Sequence, residues 1–366
     1  MSKRICICGG GALGHIMISV ISSKGYDVCL LTNHPDKWSH QIISKDLNGK
    51  QYIGNITKIS SDPKDVIPES DIILLCLPGF LIDEEIKKIK QYLKENSCLG
   101  SIVSSTGFFI SALANLDENA KLFGFQRVPY IARVEEYGKK ATLLGYKKSL
   151  NMAFHGIRDI DALATMFSNI IDTPINILNH VFEATLTNSN PLLHPARLYT
   201  LFKDYKKGTI YPKETLFYEE WDDCSSEILI ACDREFQELL LTLPVTPNSI
   251  PSLLEYYESY DKYSLTKKIS SIEAFKKIKT PMENVDGGYI PDISSRYFTE
   301  DIPYGLLLIK YMAQMQNIST PNIDKIVYWC QNIMSKEYIK DGLIVCDSKD
   351  IKDISCLNYD VIRKLI

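Results

Sequence analysis

The chain has 366 residues, room for about two domains at a typical ~150 residues each. Hydrophobic residues make up 45% and charged residues 23%, which excludes a disordered chain, a collagen-like repeat and a small disulfide scaffold. Lysine plus arginine total 41 against 45 acids, a net charge of -4, so nothing argues for a nucleic-acid surface.

The ten cysteines do not read as a disulfide framework. Cys6, Cys8, Cys29 and Cys76 lie in apolar runs, where a free thiol packs as a small hydrophobe. Cys6 and Cys8 fall on one face of one strand, and no second Cys or His pair follows at zinc spacing, so no metal is expected. Met1-Ser2-Lys3-Arg4 leads straight into a strand without a signal-type apolar segment. The longest apolar stretch, Ile72 to Leu77, is far short of the ~20 residues that a spanning helix needs. These features predict a reduced, soluble, cytoplasmic protein with no membrane partner.

In chain order, Arg4 to Cys8 reads as a strand, Leu13 to Lys24 as a helix and Asp27 to Leu31 as a second strand. Gln51 to Ile59 carries a weak strand signal. Ile72 to Leu77 is the apolar run of a strand covered on both faces. Asp83 to Glu95 has a helical stripe at Ile86, Ile89 and Leu93, and Ser101 to Ser105 is a short strand. From about Glu183 the strand signals fade. Phe217 to Leu243, Tyr304 to Met315 and Ile323 to Met334 read as helices, and Lys267 to Lys279 as a solvated amphipathic helix. The expected fold class is α/β: an N-terminal Rossmann dinucleotide-binding domain over 1–180, then a mainly helical C-terminal domain over 181–366.

Gly9-Gly10-Gly11-Ala12-Leu13-Gly14 follows the first strand and heads the first helix. Gly9 permits the tight turn, Gly11 lets the backbone approach a pyrophosphate, and Gly14 lets helix pack on strand. The first helical residues, Ala12 and Leu13, offer unpaired N–H groups to the phosphates. An acid ~20 residues further on would bind the ribose 2′-hydroxyl of NAD. Here the second strand ends in Leu31-Thr32-Asn33-His34, with Asp36 too late after Pro35. Thr32 and Asn33 can donate to a 2′-phosphate and Lys37 is nearby, which favours NADP(H) and leaves NAD(H) open. Leu77-Pro78 and Thr106 end later strands, where a nicotinamide would lie, although strand-ending turns explain them equally.

In the second half, Asn190-Pro191-Leu192-Leu193-His194-Pro195 begins a helix that Ser189 or Asn190 can cap. A helix N-terminus disfavours imidazolium, and a carboxylate partner would offset that for His194. The candidate partner is Asp301, in Arg296-Tyr297-Phe298-Thr299-Glu300-Asp301-Ile302-Pro303-Tyr304-Gly305. On local grounds His194 is as readily structural as catalytic, Asp301 is as readily an N-cap, and Arg296 is as readily a surface charge.

With the glycine loop, the N-P-x-x-H-P element, Phe217-Tyr218-Glu219-Glu220-Trp221, the R-x-x-x-x-D-x-P-Y-G element and Thr320-Pro321, the chain resembles the NAD(P)-dependent octopine/nopaline (opine) dehydrogenase family. Gly124-Phe125-Gln126-Arg127-Val128-Pro129-Tyr130 resembles a further family segment. The likeness covers roughly residues 1–340. It implies NAD(P)H-dependent condensation of an amino acid with a 2-oxo acid such as pyruvate, through an imine that hydride reduces. It implies His194 as acid/base, Asp301 as its paired carboxylate and Arg296 as the residue engaging a substrate carboxylate. The partners are then small molecules, with homo-oligomerisation left open. Tyr199, Phe217 and Trp221 either line the amino-donor pocket or belong to the core. A ketopantoate reductase-like 2-oxo/2-hydroxy acid dehydrogenase is the alternative enzyme, although no lysine stands in a matching motif. A non-catalytic NAD(P)-binding regulator is the third reading.

Overall fold

The apolar runs of the first half pair side by side as parallel strands. The protein, described over residues 3–366 by a computed structural model, divides into two units, Met1–Thr185 and Leu186–Ile366. In chain order the first contains β1 (Arg4–Cys8), α1 (Ala12–Ser23), β2 (Asp27–Leu31), β3 (Gln41–Asp46), β4 (Gln51–Ser60), β5 (Ile72–Leu75), α2 (Gly79–Ile89) and β6 (Cys98–Ser101). It continues with α3 (Phe108–Asn115), β7 (Leu122–Phe125), β8 (Tyr130–Glu136), β9 (Lys140–Tyr146), β10 (Leu150–His155), α4 (Ile160–Ile171), β11 (Ile175–Ile177) and α5 (Val181–Thr185).

One sheet holds all eleven strands in the order β11-β10-β7-β6-β5-β1-β2-β4-β3-β9-β8. The inner six, β7-β6-β5-β1-β2-β4, run parallel, the doubly wound order of a Rossmann sheet. Ile5, Ile7, Val28, Leu30, Ile72 and Leu74 are wholly or almost wholly buried, which is why these strands read as continuous apolar runs. Successive strands add on opposite sides of β1, so the loops after β1 and β5 leave the sheet at its topological switch point. The outer strands reverse direction: β10 is antiparallel to β7, β3 to β4 and β8 to β9.

The second unit is built on α6 (Asn190–Phe202), α7 (Asp223–Leu240), α8 (Leu253–Tyr256), α9 (Lys262–Ser271), the hairpin β12 (Met282–Val285) and β13 (Gly288–Pro291), α10 (Arg296–Thr299), α11 (Leu307–Met315) and α12 (Pro321–Met334). Among the described residues no helix is long and apolar enough to cross a membrane.

Several boundaries differ from the sequence expectation, each for a local reason. The strand expected over 101–105 is β6, which ends at Ser101, where the hydroxyl donates to the Val103 carbonyl at 2.6 Å and the chain turns. The helix expected from Asp83 starts at Gly79 and ends at Ile89, giving way to a single turn over Lys90–Tyr92. The helix expected from Phe217 begins only at Asp223, because the Asp222 carboxylate caps it by accepting from the Ser225 N–H at 2.7 Å. Lys267 to Lys279 is not one helix. A reciprocal Asp261–Ser264 cap starts α9 earlier, and it stops at Ser271. Lys277 sits at φ 62°, which breaks any continuation. The strands β8 and β9 lack a continuous apolar run because their outward positions carry polar or charged residues such as Arg133, Glu135 and Lys140.

Candidate active site

The loop between β1 and α1 is shaped by absent side chains. Gly9 has φ +115°, and a Cβ there would lie 2.6 Å from the Cys76 carbonyl oxygen at the end of β5. A Cβ on Gly14 would lie 2.2 Å from the Gly9 carbonyl oxygen, so the helix packs on the loop only with glycine at that position. At Gly11 a Cβ would meet nothing within 4 Å, so this face of the backbone is open. Ala12 and Leu13 begin α1, Gly11 makes no side-chain cap, and the first turn holds no acid. Unpaired N–H groups and the helix dipole therefore face an open loop, and such a cradle fits a pyrophosphate.

Beside the loop lies a cavity of ≈180 Å³ whose lining includes Gly9, Gly10, Thr32, Asn33, Leu77 and Tyr137. Thr32 and Asn33, singled out from sequence, both reach it, whereas Lys37 is exposed and outside the lining. The β8–β9 hairpin tip carrying Tyr137 is tied to α1 through His15. The Gly138 N–H donates to His15 Nε2 at 2.8 Å, and His15 Nδ1 donates to the Gly11 carbonyl at 2.9 Å. Burial holds this histidine below its usual pKa, although the Gly11 bond opposes the shift. Glu85 and Lys88 of α2 line the same cavity. Sequence reasoning missed both because no local motif marks them.

Pro78 precedes α2 as its N-cap, and Thr106 lies where the chain leaves β6. A Cβ on Gly79 would come within 2.6 Å of Thr106 Cβ, so the turns after β5 and β6 touch. The Thr106 hydroxyl is shut off from solvent with no hydrogen-bond partner among the described residues. An orphaned hydroxyl at the carboxyl end of a Rossmann strand fits a bound polar group.

In the second unit His194 is the fifth residue of α6 and only 5% exposed. Its Nδ1 lies 2.7 Å from Asp301 Oδ2, and its Nε2 lies 2.8 Å from the Tyr218 hydroxyl. An ionised carboxylate only accepts, so Nδ1 carries the hydrogen and Nε2 accepts from the Tyr218 O–H. The Tyr297 ring stacks on the imidazole at 4.1 Å and 23°. Asp301 precedes a helical turn as expected, yet its carboxylate makes no cap; it goes to His194 instead. Ser189 likewise stands at the N-cap of α6 without a side-chain cap bond.

What brings residue 301 to residue 194 is a wide turn. Ile302–Leu306 is π-helical, with the Leu306 N–H bonding five residues back to the Asp301 carbonyl at 2.9 Å. A Cβ on Gly305 would lie 2.8 Å from the Pro191 ring, so this glycine lets the turn close onto the start of α6. Pro195 has no N–H for the Pro191 carbonyl, which keeps this end of α6 irregular.

Tyr218 is held by a group that the sequence did not flag. Arg197, one turn beyond His194, is 1% exposed. Its guanidinium donates to the carbonyls of Phe217 and Glu220, to Asp222 at 2.8 Å and to the Ser225 hydroxyl at 3.0 Å. Four bonds from one fork fix the 217–222 turn, which presents the Tyr218 hydroxyl to the imidazole. Burial pulls the guanidinium pKa below its usual value, against the pull of Asp222, and burial pushes the Tyr218 phenol up. Phe217 and Trp221 are core residues, and Tyr199 packs edge-on to Trp329. The only sequence signal for Arg197 was its place one turn from His194 on one helix face.

Arg296 stands at the start of α10, and the Asp301 N–H bonds to its carbonyl at 3.2 Å. Its guanidinium is ion-paired with Glu300 and 69% exposed, whereas Glu300 is nearly buried. The fork therefore already holds a carboxylate beside the Asp301 turn.

A Rossmann sheet with an open glycine loop, joined in one chain to a helical unit carrying a carboxylate-oriented imidazole, defines a nucleotide-dependent oxidoreductase. Residues 177–334 match NAD/NADP octopine/nopaline dehydrogenase, alpha-helical domain, and residues 5–105 match ketopantoate reductase PanE/ApbA. The chain is 26% identical to octopine dehydrogenase of Pecten maximus over 97% of its own length and 96% of that protein's. Octopine dehydrogenase with NADH and L-arginine superimposes with a TM-score of 0.88 at 23% identity, covering 100% of this chain and 98% of that one. Its complex with NADH and pyruvate gives a TM-score of 0.86 at 24% identity, covering 99% and 98%. The chain is thus similar to octopine dehydrogenases over nearly its whole length, with the octopine/nopaline dehydrogenase helical domain matched over residues 177–334.

Proposed function

We propose that the protein joins the amino group of an amino acid to the carbonyl of a small 2-oxo acid such as pyruvate, and reduces the resulting imine. The observation that carries this reading is the His194–Asp301 pair at 2.7 Å, inside a buried aromatic setting. The near full-length likeness to octopine dehydrogenase supports it.

Amine attack on the oxo carbon gives a carbinolamine, and loss of its hydroxyl as water gives the imine. That loss needs a proton on the departing oxygen. His194 is the acid/base group: Nε2 delivers the proton and takes one back, while Asp301 holds Nδ1–H and supports the positive ring. Tyr218 keeps Nε2 aimed in the meantime. Arg296 engages a substrate carboxylate, which replaces Glu300 on the guanidinium fork. A nicotinamide cofactor supplies the hydride that reduces the imine. The glycine loop with Ala12 and Leu13 would hold its pyrophosphate, Thr32 and Asn33 its adenosine ribose, and Leu77, Pro78 and Thr106 its nicotinamide end. Of the two cofactors, the sequence favours NADP(H), whereas the charge of the cavity favours NAD(H). Ten cysteines without a disulfide support a reducing, cytoplasmic setting.

The test is cofactor absorbance with pyruvate, with a panel of amino acids, and with both together. Oxidation that needs both substrates is the expected result. Oxidation with the 2-oxo acid alone would point to a ketopantoate reductase-like enzyme, and cofactor binding without turnover would point to a regulator.

A further inference from the structure

We propose that Glu85 reads the adenosine ribose of the cofactor and makes this enzyme select NAD(H) over NADP(H). The inference rests on the dinucleotide site proposed above and deepens it.

The chain has no acid at the end of β2, the usual source of a ribose-binding carboxylate. The fold supplies one from another element. Glu85, in the second turn of α2, lines the same cavity as Gly9, Gly10, Thr32 and Asn33. It is half-buried, yet it accepts no hydrogen bond from any described residue. Burial pushes its carboxyl up, and Lys88 one turn on opposes this only in part. A desolvated carboxylate without donors is unfavourable. A ribose with free 2′- and 3′-hydroxyls brings the missing donors.

A 2′-phosphate would do the opposite. It carries about −2 charges and needs a surplus of cations. Besides His34 and the Tyr137 phenol, the ionisable lining is one carboxylate, Glu85, and one ammonium, Lys88; it contains no arginine. Lys88 also lies within electrostatic reach of Asp62, so its charge is already shared between two acids. Lys37, the cation that the sequence suggested for the phosphate, lies outside the lining. Glu85 would then face the phosphate as a like charge.

The test is direct binding of NADH and NADPH to the wild-type protein and to Glu85→Gln, by calorimetry or protein fluorescence, with melting temperatures confirming the fold. The wild type should bind NADH at least tenfold tighter than NADPH. Glu85→Gln should narrow that ratio, losing NADH affinity and gaining NADPH affinity. Equal affinities or an NADPH preference in the wild type would overturn the inference and leave the dinucleotide site standing. An unchanged ratio in a folded Glu85→Gln would do the same. Binding of neither nucleotide by the wild type would overturn the dinucleotide site itself.

Discussion

The two units hold their functional groups in different ways. In the first, the loop from Gly9 to Gly14 is an affair of backbone: what matters is where no Cβ stands. In the second, His194 is oriented by Asp301 at Nδ1 and Tyr218 at Nε2, and Arg197 fixes the turn that carries Tyr218. A backbone cradle is set by a few adjacent residues and a strand end. A side-chain relay needs three separate segments to close on one imidazole. Substitutions should therefore damage the two sites differently, one through steric overlap and the other through lost orientation.

The largest effect should come from the relay. His194→Ala is expected to lower kcat by about 10³-fold, within the ~10²–10⁴ range of general acid–base groups, with the Kd for NADH unchanged. Asp301→Asn should fall in the same range, because an amide no longer fixes the Nδ1–H tautomer. Equal losses of turnover and cofactor affinity would erase the distinction between the units. Arg197→Met should cost about 3 kcal/mol of stability in denaturant melts, since it leaves buried carbonyls unpaired. Gly14→Ala is the counterpart in the first unit. A Cβ 2.2 Å from the Gly9 carbonyl oxygen must shift the loop, and NADH binding should weaken about tenfold, or ~1.4 kcal/mol. Tyr218→Phe should lower kcat about fivefold, near the ~1 kcal/mol of one hydrogen bond, without altering the Kd for NADH.

The smallest effect concerns His15. Its folded pKa is depressed by burial, so the neutral ring contributes stability above its unfolded pKa of about 6.5. That contribution is lost as pH falls through the lower folded value. Protonation puts a hydrogen on Nε2 and ends its acceptance of the Gly138 N–H. The melting temperature should drop more steeply below about pH 6 in the wild type than in His15→Asn.

The same contrast explains what was legible in the sequence. The parallel strands β1, β2 and β5 are visible because burial on both faces makes them apolar almost throughout, and the glycine loop because its residues are contiguous; β7, although parallel and buried, is not marked by the sequence. The antiparallel additions are not visible, because β8 and β9 expose one face and carry polar residues there. His194 and Asp301 stand out as candidates from their local segments, but only the family resemblance gives them roles, since spacing says nothing about a contact across 107 positions. Tyr218 was seen only as part of an aromatic motif, and Arg197 was passed over as one more basic residue. Neither carries a local signature, and their roles exist only where the 217–222 turn meets α6.

The most direct measurement is the mass of the product. With pyruvate, NADH and an amino acid from the panel that supports oxidation, the expected product is a secondary amine containing both carbon skeletons, lighter by one water and heavier by two hydrogens than the two substrates combined. A free 2-hydroxy acid, with the amino acid recovered unchanged, would contradict it.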